Sequence, residues 1–382
     1  MRHCYSRLTP SVIHNQARQV LFGCLDWKPF RETVSAIQLV DLVLFMAATA
    51  ASLSDTIRRF FCFSHETARQ AIKATLPDRD RLLAGLIHSL HDVLSFSRLD
   101  RRRRWLLAID IHNKPYYGKR TPDVVGGPKK KGTKWSFAYT TAVLLHKGRR
   151  YTVGLCSLTP QMKVDQIVRI LLDQIAEKGL KIRGVALDSG FDSGDVLLLL
   201  QERGLAYTVP MRRAGKGSNA RNRLFEGRHR LIRWAEWKTD RTHRLVQTRT
   251  FLWKRGPRTM LFAFCGWSGD SARSVHDEAM RMRRLYRQRF GIETSYRQKN
   301  QAEAFTTSRD PIYRLLLEGV AYLLRQIWVV LTEHIARVRH IKPSAWVSDL
   351  TLAILLDWLE KHLEDLYPES RSIPLDSKCY AQ

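Results

Sequence analysis

Two short apolar runs limit this chain more than anything else in it: "WLLAIDI" (105–111) and "GVALD" (184–188). Each is nearly continuous in apolar residues, as expected of a strand buried on both faces of a sheet. Such strands call for helices packed on both sides, which is α/β architecture. Each run also carries one acid. Asp110 sits inside the first, sharing a strand face with Leu106 and Ala108, and Asp188 ends the second just before the turn "SGFD". A buried carboxylate is costly unless it is paired or binds a metal ion.

The elements between and after these runs give the order of the sheet. The segment 135–158 reads as a hairpin around "HKGR", followed by a helix (163–179), a strand (181–190), a helix (193–204) and a strand (205–212). The order β-β-β-α-β-α-β predicts a mixed sheet with an antiparallel hairpin edge and parallel strands joined by right-handed crossovers. If the first and fourth strands lie side by side and parallel, Asp110 and Asp188 converge at their carboxyl ends, where open sheets place ligands. A basic Gly/Ser/Asn loop (213–223) and three alternating segments follow, read as an inserted antiparallel β subdomain.

The remainder is helical. Residues 54–77 suggest a short helix, a break, and a second helix opened by Ser64, a helix-turn-helix pattern shared with many ordinary helical hairpins. The apolar stretch 36–53 contains Gln38 and Asp41 and reads as a buried bundle helix rather than a membrane span. The predicted organisation is a helical N-terminal domain (1–98), an α/β core in two parts (99–212 and 271–340, the second carrying Glu293), the β insertion (213–270) and a helical tail (341–382).

Charge indicates the partner. With 64 Lys+Arg against 36 Asp+Glu, the 382-residue chain carries +28, spread along its length and dominated by arginine. Distributed positive charge on a folded chain points to nucleic acid; a ribosome-associated or heparin-like binder is the plainer alternative. Six well-separated cysteines (4, 24, 62, 156, 265, 379) form no CxxC pair, which fits a reducing cytoplasm. The N-terminus lacks the apolar core of a signal peptide, and no membrane partner is expected.

Against this background "YRQRFGIETSYRQKN" (286–300) holds a single acid, Glu293. On one helix, Tyr286, Arg289, Glu293, Arg297 and Asn300 fall in a stripe roughly 80° wide. Two aspartates and a glutamate can hold two Mg2+ ions about 4 Å apart and support in-line phosphodiester displacement. The flanking Arg and Tyr would grip phosphates. Each acid also has an ordinary explanation. Asp110 can pair with a buried cation, Asp188 can cap a turn or the helix near Ser193 (with Asp192 as competing ligand), and Glu293 can pair with Arg289 and Arg297.

Together these residues resemble the DDE transposases of bacterial insertion sequences, in particular the insertion-sequence-four family with its Tyr-x2-Arg-x3-Glu-x6-Lys signature. "YRQRFGIE" supplies Tyr286, Arg289 and Glu293; "ALDSGFDS" and "WLLAIDI" look like the segments around the other acids. The likeness spans roughly residues 100–335. The signature's final Lys falls on Asn300, with Lys299 one residue early, so the cation's place falls to Lys299, Arg297 or the Asn300 amide.

The resemblance implies a ribonuclease H-like fold and catalysis by Asp110, Asp188 and Glu293 with two Mg2+ (Mn2+ able to substitute). It also implies cut-and-paste transfer of terminal inverted repeats, bound by the helical domain 1–98, to target DNA through a hairpin, by a homodimer that synapses two ends, with 99–212 and 271–340 as the catalytic core. Trp234, Trp237 and Trp253 are candidates for stacking on a flipped base, or else form the small sheet's own core. The alternatives are a nuclease of the same fold without strand transfer, and a domesticated or decayed DNA-binding protein without catalysis.

Overall fold

The computed structural model describes residues 7–97, 99–100, 102–130, 132–146, 148–213, 220–239, 241–266, 274–342 and 347–368. The chain forms two compact units, one of residues 1–98 with 296–382 and one of residues 99–295. The first begins with α1 (Pro10–Cys24), α2 (Ala36–Thr49), α3 (Leu53–Phe60), α4 (His65–Thr75) and α5 (Arg79–Ser95). Each starts where the sequence offers a cap: Thr9, Ser35, Ser52, Ser64 and Asp78 all accept a backbone N–H of the first turn. The predicted break before Ser64 is present, with α3 ending at Phe60.

The second unit is built on a nine-stranded sheet of order β2-β3-β1-β5-β6-β9-β8-β7, with β4 also pairing β3. The strands are β1 (Arg104–Pro115), β2 (Val125–Lys130), β3 (Thr133–His146), β4 (Arg149–Ser157), β5 (Lys181–Leu187), β6 (Ala206–Met211), β7 (Leu231–Lys238), β8 (Leu245–Arg255) and β9 (Arg258–Cys265). Its helices are α6 (Val164–Glu177), α7 (Gly194–Glu202), α8 (Ala220–Arg223) and α9 (Val275–Arg289); α10 (Gly291–Lys299) leads out of it. β1 runs parallel to β5 and β5 to β6, joined through α6 and α7, while β3 lies antiparallel to β1. Leu107, Ala108, Ile109, Val185, Ala186 and Leu187 are fully buried, as strands covered on both faces require.

Two details differ from the sequence reading. β2, rich in Gly and Lys, is an edge strand without apolar alternation and was not expected. The three inserted strands form no separate layer: β9 pairs β6 antiparallel, so the insertion extends the main sheet. The basic loop 213–223 lies partly outside the described residues, at 214–219.

The chain returns to the first unit with α11 (Pro311–Val338) and α12 (Leu352–Leu366). Asp310 caps α11, accepting from Ile312 and Tyr313, with Pro311 in the first turn. Residues 296–338, grouped with the catalytic core by sequence, belong to this unit instead, and α11 packs on α5, α2 and α1. α11 is long and apolar enough to cross a membrane, and its most apolar stretch is buried inside the protein. α2 is also buried. Its Asp41 accepts from His14 (2.9 Å), Arg18 (2.6 and 3.1 Å) and Tyr367 (2.7 Å). Burial pushes the Asp41 pKa up, but these donors outweigh it and hold the carboxyl below its ordinary range.

Candidate active site

Ile109 of β1 pairs with Leu187 of β5, and the next residue on each strand is an aspartate. Parallel pairing in this register brings Asp110 and Asp188 to the same edge of the same strand pair. α9 packs across β5, β6 and β9, and its last residue, Arg289, turns into the sheet. The Arg289 guanidinium is buried and lies between three carboxylates: Nη1 is 3.4 Å from Asp110, and Nη2 is 3.4 Å from Asp188 and 3.6 Å from Glu293. The three acids predicted from sequence therefore surround one cation.

The electrostatics follow from this crowding. Burial, aided by the neighbouring charges of Asp188 and Glu293 and opposed by Arg289, raises the Asp110 pKa to about 6. Burial alone would lower the Arg289 pKa; Asp110, Asp188 and the hydrogen bond that Arg289 donates to the Tyr286 hydroxyl reverse this and raise it. All three ion-pair contacts are longer than hydrogen bonds, and Arg289 Nε has no partner. One loosely held monovalent cation thus faces three carboxylates.

Hard oxygen donors of this kind suit a divalent cation such as Mg2+. Among the described residues, no group of three His, Cys, Asp or Glu stands close enough together to hold an ion. The chemistry of the donors fits; ion binding requires the carboxylates to close up around something smaller than Arg289.

The ordinary explanations sort themselves out. Asp188 precedes the 3-10 turn Ser189–Phe191, but its side chain makes no capping hydrogen bond. Asp192 is taken up by the Arg221 guanidinium and by the backbone N–H of Arg212 (2.5 Å), so those two arginines occupy its carboxylate. Asp110 does pair with a buried cation, and Glu293 does pair with Arg289; both share the same arginine.

The flanking residues depart from the predicted stripe. The helix breaks at Phe290, so α9 and α10 are separate, and Asn300 falls in a 3-10 turn (Asn300–Ala302). Tyr286 is buried against Phe262 and Phe290 (ring centroids 5.1 and 5.6 Å), and Arg289 faces acids rather than solvent; neither is presented to a phosphate in this state. Arg297 and Asn300 are exposed. Lys299 is fully buried, donating to Glu318 (2.7 and 2.8 Å) and Glu303 (3.1 Å), which makes it a structural ion pair.

Of the tryptophans, Trp234 is 69% exposed with Arg249 over one face at 5.2 Å, while Trp237 and Trp253 are half-buried. Sequence reasoning missed Arg150 of β4. Its guanidinium packs on Gly291 and donates to the Gln288 carbonyl (3.0 Å), clamping the break that aims Arg289 and Glu293. Any Cβ at 291 would strike that guanidinium, and a glycine inside a helical pattern was the available signal.

No protein-family model and no curated protein matches the chain. Among solved structures, the chain is similar to one described as the cryo-EM structure of a piggyBac transposase synaptic complex with hairpin DNA. The TM-score is 0.61 at 13% identity, covering 99% of this chain and 85% of that one. At that identity the likeness establishes the fold: a ribonuclease H-like mixed α/β sheet with a helical N-terminal part.

Proposed function

We propose that the chain is a DDE DNA transposase of the insertion-sequence-four kind, a homodimer when assembled on DNA, in which Asp110, Asp188 and Glu293 hold two Mg2+ ions. The observation that carries this reading is the in-register pair of aspartates meeting Glu293 around Arg289. Likeness in fold to a transposase solved on hairpin DNA supports it. When bound, the ions supply an activated water or 3′-hydroxyl and stabilise the leaving oxygen of a phosphodiester.

The protein's own share is positional. With its pKa near 6, Asp110 is mostly ionised at neutral pH and ready to ligate. Arg289 keeps the carboxylates together by reducing their repulsion before ions enter. Arg297 and Asn300 stand exposed for phosphate contact, and Trp234 offers an open ring face to an unstacked base. Binding of terminal inverted repeats falls to the helical N-terminal part, through α3 and α4.

The test is a strand-transfer assay. The full chain is incubated with Mg2+ and DNA carrying the sequences that flank its gene, plus a target plasmid. Hairpin-ended intermediates and joined products are expected; nicked or hydrolysed DNA without joining would point to a nuclease instead.

A further inference from the structure

Trp253 of β8 carries the guanidinium of Arg283, on α9, with the guanidinium carbon 3.6 Å from the ring centroid. Arg230 approaches the same ring at 5.5 Å, and His229 meets its edge at 4.5 Å while accepting from the Lys254 N–H (3.1 Å). Burial first, then the charges of Arg287, Arg255 and Arg230, push the Arg283 pKa below its ordinary value. Three guanidiniums therefore act on the Arg283 guanidinium here.

Arg249, four residues before Trp253 on β8, is answered by an acid, Glu278 at 2.5 Å, as is Arg244 at the far end of the strand, by Glu202 at 2.5 Å. Among the described residues no carboxylate lies within ion-pair distance of Arg230, Arg255, Arg283 or Arg287. Arg230 also keeps a left-handed backbone (φ 62°) that favours glycine, its N–H fixed on the Leu252 carbonyl at 2.9 Å. A like-charge cluster held this way is complementary to an anion, and a guanidinium seated on an indole loses less freedom when it binds one. Because Arg283 covers Trp253, that ring is poorly suited to base stacking and better read as the floor under an arginine.

We propose that Arg283, seated on Trp253 and flanked by Arg230, Arg255 and Arg287, is a binding site for the phosphodiester backbone of duplex DNA. Arg283 and Arg287 stand one turn apart on α9, and Arg289 lies about 200° round from Arg287, so the site faces away from the acids. That the polyanion is duplex DNA rests on the function proposed above.

The experiment measures binding of the full chain to a random-sequence DNA duplex by fluorescence anisotropy across a salt series. The double variant R283Q/R287Q is compared with wild type and with R283K/R287K. Loss of two phosphate contacts lowers the slope of log K against log salt by about two in the Gln variant, and the Lys variant keeps the wild-type slope. An unchanged slope in R283Q/R287Q overturns the site. So does a change seen only with single-stranded RNA. Wild-type protein that cleaves DNA in Mg2+ while the Gln variant keeps its slope refutes this site alone; a lowered slope in protein that never cleaves refutes the proposed function alone.

Discussion

Asp110 and Asp188 are neighbours across a parallel strand pair, each following the last paired residue, Ile109 and Leu187. Neither can move far without breaking the register of a fully buried sheet centre. Burial, with the charges of Asp188 and Glu293 adding to it, raises the Asp110 pKa to about 6, so an ionised Asp110 is held there at a cost to the fold. Asp110→Asn should therefore raise the melting temperature measured in EDTA at neutral pH, by the equivalent of roughly 1–2 kcal/mol, while abolishing Mg2+-dependent cleavage. A variant less stable than wild type would contradict the electrostatic account of the pair.

Arg289 is the counter-ion of all three acids. Arg289→Gln should destabilise the metal-free protein by about 3 kcal/mol, since three carboxylates lose their shared cation. Mg2+ should restore part of that loss in thermal melts. Equal stability of the variant and wild type in EDTA would mean that Arg289 does not neutralise the cluster.

Lys299 illustrates how far the sequence could be read. Its position one residue from the expected signature lysine left its role open, and the structure seals it against Glu318, 19 residues on. Lys299→Met should destabilise the fold by about 3–5 kcal/mol and leave the salt slope of DNA binding unchanged. A lowered slope without loss of stability would restore it as a DNA contact.

The Asp41 cluster gives the pH dependence. Folded Asp41 binds its proton more weakly than an aspartate of the unfolded chain, so its contribution is complete above about pH 4 and drains away as pH falls further. In urea melts, the stability gap between wild type and Asp41→Asn should shrink from pH 5 to pH 3. A gap independent of pH would contradict the assignment.

The strands and their aspartates were legible because a short apolar run interrupted by one acid is rare and has few explanations. The parallel placement of β1 and β5 followed from element order and crossover handedness. Other features depend on partners distant in sequence. The pairing of β6 with β9, which joins the insertion to the sheet, is a long-range register that no local pattern encodes. The spacing of Arg289 and Glu293 indicated a pair, but not that the same guanidinium reaches two strands. The break at Phe290 hid behind continuous helical periodicity, with Gly291 its only local sign.

Calorimetric titration of the full chain with Mn2+ tests most directly whether Asp110, Asp188 and Glu293 act as one metal site. Wild type should bind Mn2+, and Asp110→Asn, Asp188→Asn and Glu293→Gln should each lose that binding together with DNA cleavage, while retaining affinity for duplex DNA. Wild-type Mn2+ binding and cleavage in any one of the three variants would contradict it.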